Sequence, residues 1–81
     1  MARFYFHVKG DGVLITDDEG LDLPGMSEAS RTALETAREL LAEAVKFGKP
    51  TIPEAVVVAD EGGRPLLELA IVAVLPEPLR K

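Results

Sequence analysis

The last apolar stretch constrains this fold most, because it is apolar at even and odd positions alike. From Ala55 the chain runs Val56-Val57-Val58-Ala59, turns through Asp60-Glu61-Gly62-Gly63-Arg64, and resumes towards Leu69-Ala70-Ile71-Val72-Ala73-Val74-Leu75. Side chains alternate across a strand, so apolar residues in both registers mean burial on both faces. The sequence supplies one amphipathic helix, enough to cover one face of a small sheet. Read as a strand continuous to Leu75, the segment places Leu67, Leu69, Ile71 and Ala73 beneath the helix. Leu66, Ala70, Val72 and Val74 then face away, with Glu68 the lone charge among them. Such a strip is a binding surface, and a two-fold related copy is the commonest way to cover it. A homodimer held through this C-terminal hairpin is the expected assembly.

With 81 residues there is room for one domain. Its expected extent is residues 1–75, with Pro76, Pro78, Arg80 and Lys81 marking 76–81 as a tail. The absence of cysteine removes disulfides and thiol chemistry. Met1 to His7 lacks the apolar run of a signal peptide, and the longest apolar run, Leu69 to Leu75, is too short to span a bilayer. A cytoplasmic location and no membrane partner are therefore expected. Fourteen acidic residues against nine basic, a net charge of −5, argue against nucleic acid as a partner.

Arg3 to Lys9 alternates cleanly, with Phe4, Phe6 and Val8 on one face and Arg3, Tyr5, His7 and Lys9 on the other. Gly10-Asp11-Gly12 has turn chemistry, and Val13 to Thr16 reads as the return strand of a hairpin. Asp17-Asp18-Glu19-Gly20 makes a second turn, after which Leu21-Asp22-Leu23 is either a third strand or an extended arm. The spacing predicts a helix from Ser27, as N-cap, to about Phe47. Its apolar stripe is Ala33, Leu34, Ala37, Leu40, Leu41, Ala44 and Val45. Gly48 and Pro50 stop it. If Gly62-Gly63 form a two-residue turn, Glu61 faces Arg64, Ala55 pairs with Ala70, and Val72 to Leu75 overhang the partner strand at Ile52-Pro53. The fold class that follows is α+β: a meander, one helix and a C-terminal hairpin in a single antiparallel sheet, with the helix on one face.

Little in the chain carries chemistry. His7 is the only histidine. A general base needs an orienting partner, which Asp17 or Asp18 would supply across the hairpin, but no serine, cysteine or second histidine completes a constellation. The plainer reading is a strand-surface histidine bonded to a neighbour. Asp11, Asp17, Asp18, Glu19 and Asp22 form an acidic segment without the alternate-residue spacing of a calcium loop. They read as solvated turns, as a weak cation patch, or as a docking patch for a basic protein. With one histidine and no cysteine, no metal site and no cofactor are expected. Neither glycine turn opens a helix, so neither is a phosphate loop. Phe4 and Phe6 belong to the core face, which sets them apart from a base-stacking platform.

Arg3-Phe4-Tyr5-Phe6-His7-Val8, then Asp17 to Pro24, then Ala37-Arg38-Glu39-Leu40 resemble a family of small proteobacterial proteins, a domain of unknown function. That family opens R-Y-F-F-H-V and carries D-x-E-G-x-E-L-P before its helix. Its D-E-D-G-R turn is similar to Asp60-Glu61-Gly62-Gly63-Arg64. The resemblance covers roughly residues 3 to 70; it implies no activity, and the apolar run from Ala70 to Leu75 departs from it. A second resemblance is to HicB-type antitoxins, in the junction Leu21-Asp22-Leu23-Pro24-Gly25 leading into Ser27-Glu28-Ala29. The DNA-binding segment common in those antitoxins has no counterpart here.

These readings converge on a non-catalytic interaction module that self-associates. The alternative is an antitoxin-like or regulatory subunit that holds a basic partner through its acidic turns. A small enzyme using His7 with a carboxylate ranks third.

Overall fold

The computed structural model describes residues 1–76. Strand β1 (Ala2–Gly10) is the central ribbon. It turns into β2 (Val13–Ile15) through Asp11 and Gly12, whose φ values of 51° and 72° are both left-handed. That is the type I′ turn whose twist suits a two-residue hairpin. Strand β3 (Leu21–Leu23) follows, and helix α1 (Met26–Lys46) crosses to β4 (Ala55–Ala59) and β5 (Pro65–Ala70). A short 3-10 turn, Ile71–Val74, ends the described fold. All pairings are antiparallel, in the order β2-β1-β4-β5, with β3 also beside β1. The α+β architecture read from the sequence is the one observed, and Leu21–Leu23 is a true third strand.

The core lies between the helix and one sheet face. Ala29, Ala33, Ala37 and Ala44 are buried along one stripe of α1. Small side chains let the helix axis approach Phe4, Val56 and Val58, and Ile71 closes the cluster. Leu40, Leu41, Leu67 and Leu69 pack around its margin. Val45, expected in the stripe, is 74% exposed: it stands one residue, about 100°, round the helix from the buried Ala44 and so points off the stripe. The helix also starts before Ser27: Gly25 is the cap, extended and without a side-chain bond, and Ala29 N–H closes the first turn on its carbonyl at 3.1 Å. At the other end Lys49 N–H bonds Ala44 O at 2.9 Å and Gly48 N–H bonds Val45 O at 3.2 Å, a Schellman stop.

The C-terminal hairpin differs from expectation in two linked ways. Its loop has three residues, Glu61 to Gly63, so Asp60 and not Glu61 stands opposite Arg64, with Asp60 N–H bonded to Arg64 O at 3.0 Å. The Asp60 carboxylate holds the loop by accepting from Gly62 and Arg64 N–H, both at 2.9 Å. A bulge at Leu66 then restores the register, since Ala59 pairs with Pro65 but Val58 pairs with Leu67. Ala55 consequently still faces Ala70, as the two-residue turn predicted.

The last strand stops at Ala70, and the overhang expected from Val72 to Leu75 is a 3-10 turn instead. Ile71 N–H takes the carbonyl of Glu54 at 2.9 Å, and Pro53 beyond it has no N–H to extend a ladder. Residues i and i+3 of a 3-10 turn share a face. Ile71 and Val74 therefore turn to the core, while Val72 and Ala73 are exposed. This removes Val74 from the outward strip and Ala73 from beneath the helix. The tail read from Pro76 to Lys81 lies, from residue 77 on, outside the described residues.

Candidate functional site

The sheet has one face without the helix and one irregular edge, and the sequence motifs meet where the two adjoin. Strand β2 pairs with Val8–Gly10 and β3 with Ala2–Phe4. Between them Thr16–Gly20, five residues, pass Tyr5–His7, three residues, so the ladder is broken there. Asp17 repairs it. Its Oδ2 accepts the Phe6 N–H at 3.1 Å, and its Oδ1 accepts the Glu19 and Gly20 N–H groups, each at 3.2 Å. Its own N–H donates to His7 Nδ1 at 2.9 Å. The Phe6, Glu19 and Gly20 N–H groups, left without a strand partner at this edge, are thereby paired.

Burial pushes the Asp17 carboxyl up, but the Phe6, Gly20 and Glu19 N–H groups, with the His7 ring nearby, hold it below its ordinary value. Gly20 (φ 71°) completes the knot, since a Cβ there would stand 2.9 Å from the Tyr5 ring and 3.0 Å from both Arg3 Cγ and Phe4 O. Arg3 straps the far side, donating to Glu19 O and pairing with Asp22 at 3.1 Å.

Arg3, Tyr5, His7 and Lys9 line the open face, as their alternation predicted. The Tyr5 and His7 rings stack with centroids 6.5 Å apart and planes 19° from parallel. Lys9 reaches across β4 to Glu68 at 3.5 Å, over the partnered Val57. His7 spends Nδ1 on the Asp17 backbone, so its proton sits on Nε2. The arrangement is one of hydrogen bonds already satisfied, and what it does chemically is fix the edge.

The acidic residues do not converge. Asp17 points at backbone and Asp22 at Arg3, while Asp11 sits on the β1–β2 turn and Asp18 and Glu19 on the irregular segment. No group of three or more metal-ligating side chains occurs among the described residues. Of the C-terminal strip, Leu66, Ala70 and Val72 are exposed, and Val74 is half-buried against the core. Sequence reasoning placed a strand at Val13 to Thr16 but did not mark it as a surface; in the structure Val13, Leu14 and Ile15 are all exposed. The available signal was three consecutive aliphatic residues directly after an Asp-Gly turn, too short a strand for one helix to reach.

The chain belongs to the DUF6894 family, a domain of unknown function, which matches residues 3–72. No curated protein and no solved structure matches it. The matched region contains the His7–Asp17–Gly20 knot entire and stops inside the 3-10 turn.

Proposed function

We propose that this domain is a non-catalytic interaction module that self-associates through its outer C-terminal strand and the turn after it. The observation that carries the reading is the exposure of Leu66 (40%) and Ala70 on the outer strand β5 and of Val72 (46%) in the 3-10 turn that follows it. Strand β5 opens with Pro65, bulges at Leu66 and carries Glu68. Those features discourage strand addition, so side-chain contact is the mode this surface favours. A two-fold copy would bury the apolar side chains and leave Glu68 at the margin.

Light scattering across the micromolar range is the test. A dimeric mass is expected, with Leu66→Asp and Val72→Asp both moving the protein towards monomer, because each places a charge in a desolvated contact. A monomeric mass for the wild type throughout that range ends the reading. The alternative, a regulatory subunit for a basic partner, draws on a different surface: Asp11, Asp18 and Glu19 have no ion-pair partner among the described residues.

A further inference from the structure

We propose that β2 is a docking edge for an extended, basic segment of a partner protein, which joins the sheet as an added strand. The inference rests on the interaction-module reading but needs no self-association.

Strand β2 ends the sheet order, so its outer side has no ladder partner. All three of its side chains are in solvent: Val13 is 59% exposed, Leu14 49% and Ile15 66%. The helix lies over β3, β4 and β5, leaving Val13 and Ile15 uncovered on the helix side. On the other face Leu14 stands opposite Lys9. Each face also has an open hollow just inboard of the strand. Ile15 walls one of about 210 Å³ with Val8, Ile52 and Pro53. Leu14 walls one of about 310 Å³ with Val57 and Pro65. An added strand presents alternate side chains to the two faces, so one set meets Val13 and Ile15 and the other meets Leu14. Unlike β5, β2 carries no proline, charge or bulge within its length.

Charge selects the occupant. Asp11 flanks one end of β2 and Asp18 and Glu19 the other, all unpaired among the described residues. The cations of the two hollows are already engaged, Lys9 with Glu68 at 3.5 Å and Lys49 with Glu43 at 3.2 Å. A second copy fits poorly. Antiparallel pairing of two β2 strands about Leu14 sets Asp11 of each copy opposite Asp17 of the other, and like charges directly across a ladder are destabilising. Aliphatic residues flanked by arginine or lysine complement the edge at its centre and at both ends.

The probe is a blocked seven-residue peptide of valine, threonine and valine with two arginines on each side. Its control carries glutamates in place of the arginines. Titrated into the full chain and followed by amide NMR shifts, the basic peptide should move Val13, Leu14 and Ile15 and leave Leu66–Ala70 in place. The acidic peptide should move neither. Asp11→Asn with Asp18→Asn should weaken binding about two- to fivefold per charge. Leu14→Lys, an exposed change that leaves the core intact, should abolish it. Equal response to both peptides, shifts centred on β5, or no shift at about 1 mM basic peptide, where even a contact of about 4 kcal/mol would register, would overturn the proposal. Light scattering on the same samples reports self-association separately, so failure of one reading is not mistaken for failure of the other.

Discussion

His7 and Asp17 are bound to each other through the backbone of one and the ring of the other: Asp17 N–H donates to His7 Nδ1 at 2.9 Å. The Asp17 carboxylate meanwhile accepts from Phe6, the residue before His7. Two adjacent residues of β1 are thus held by the main chain and side chain of a single residue, at the point where the strand pairing fails. A carboxylate can take several N–H donors at once, which an apolar or cationic side chain cannot. The histidine and the acidic turn that suggested a catalytic pair in sequence form a structural clasp.

Removing the clasp should cost more than its half-buried position at the sheet edge suggests. Asp17→Ala strips the acceptor from three N–H groups and should destabilise by about 1–3 kcal/mol, measured as a lower urea midpoint. Asp17→Asn, which keeps shape but not charge, should fall between that variant and the wild type.

The same carboxylate should give the protein an acid-sensitive increment of stability. Its folded value lies below the ordinary 3.8, so the folded state binds fewer protons than the unfolded state at pH values between the two. The increment is therefore full above about 3.8 and disappears as pH falls through the lower, folded value. Unfolding free energies of the wild type and Asp17→Asn, measured against pH, should converge in acid and part on the neutral side. Parallel curves would contradict the assignment.

Gly20 offers a sharper mutational contrast. Gly20 and Gly48 both have left-handed φ, 71° and 61°, but only Gly20 has neighbours where a Cβ would go. Gly48→Ala should cost about 1 kcal/mol from the backbone alone. Gly20→Ala adds a contact of 2.9 Å with the Tyr5 ring and should cost about 1–3 kcal/mol more, the usual range for forced overpacking. Equal losses in thermal melts would mean that the turn yields freely.

Periodicity carried most of the fold in the sequence. The alternation from Arg3 to Lys9 and the alanine-rich stripe of α1 each identify the face they bury, because one face of each is almost purely apolar. The pairing of Ala55 with Ala70 was legible too, although for an incomplete reason: the longer loop and the Leu66 bulge offset each other, and neither has a signature in residue type alone. The strand expected from Val72 to Leu75 was not legible as a turn, since four apolar residues suit a strand or a 3-10 turn equally. The carbonyl of Glu54 and the missing N–H of Pro53 decide between them, and both are tertiary facts. At the candidate site, the proximity of His7 and Asp17 could be read from the hairpin, but the atoms they use could not.

The alanine stripe should resist enlargement. Ala33 and Ala37 are fully buried against the sheet, and Ala33→Leu should cost about 1–3 kcal/mol or more by driving the helix away. Glu39→Ala and Val45→Ala, on exposed positions, should stay within about 0.5 kcal/mol. Chemical denaturation of the three variants side by side makes the comparison, and similar midpoints would mean that the helix packs by another face.

Ile71 is the anchor on which the whole C-terminal segment depends. Its side chain is fully buried, and its N–H closes on Glu54 O at 2.9 Å, so it ties the end of β5 to both the core and the chain before β4. Val74 follows it inward, one 3-10 turn later, and Val72 is turned outward as a consequence. Ile71→Ala should destabilise by about 2–5 kcal/mol, the range for emptying a buried branched position. It leaves the backbone bond in place, so the loss reports packing. Ile71→Val, one methylene smaller, should cost about 0.5–1.5 kcal/mol. If the segment is anchored as described, amide hydrogen exchange in Ile71→Ala should quicken at Ile71 and Leu75 before it quickens in β1. Uniform acceleration across all strands would instead mark Ile71 as an ordinary core residue with no separate hold on the turn.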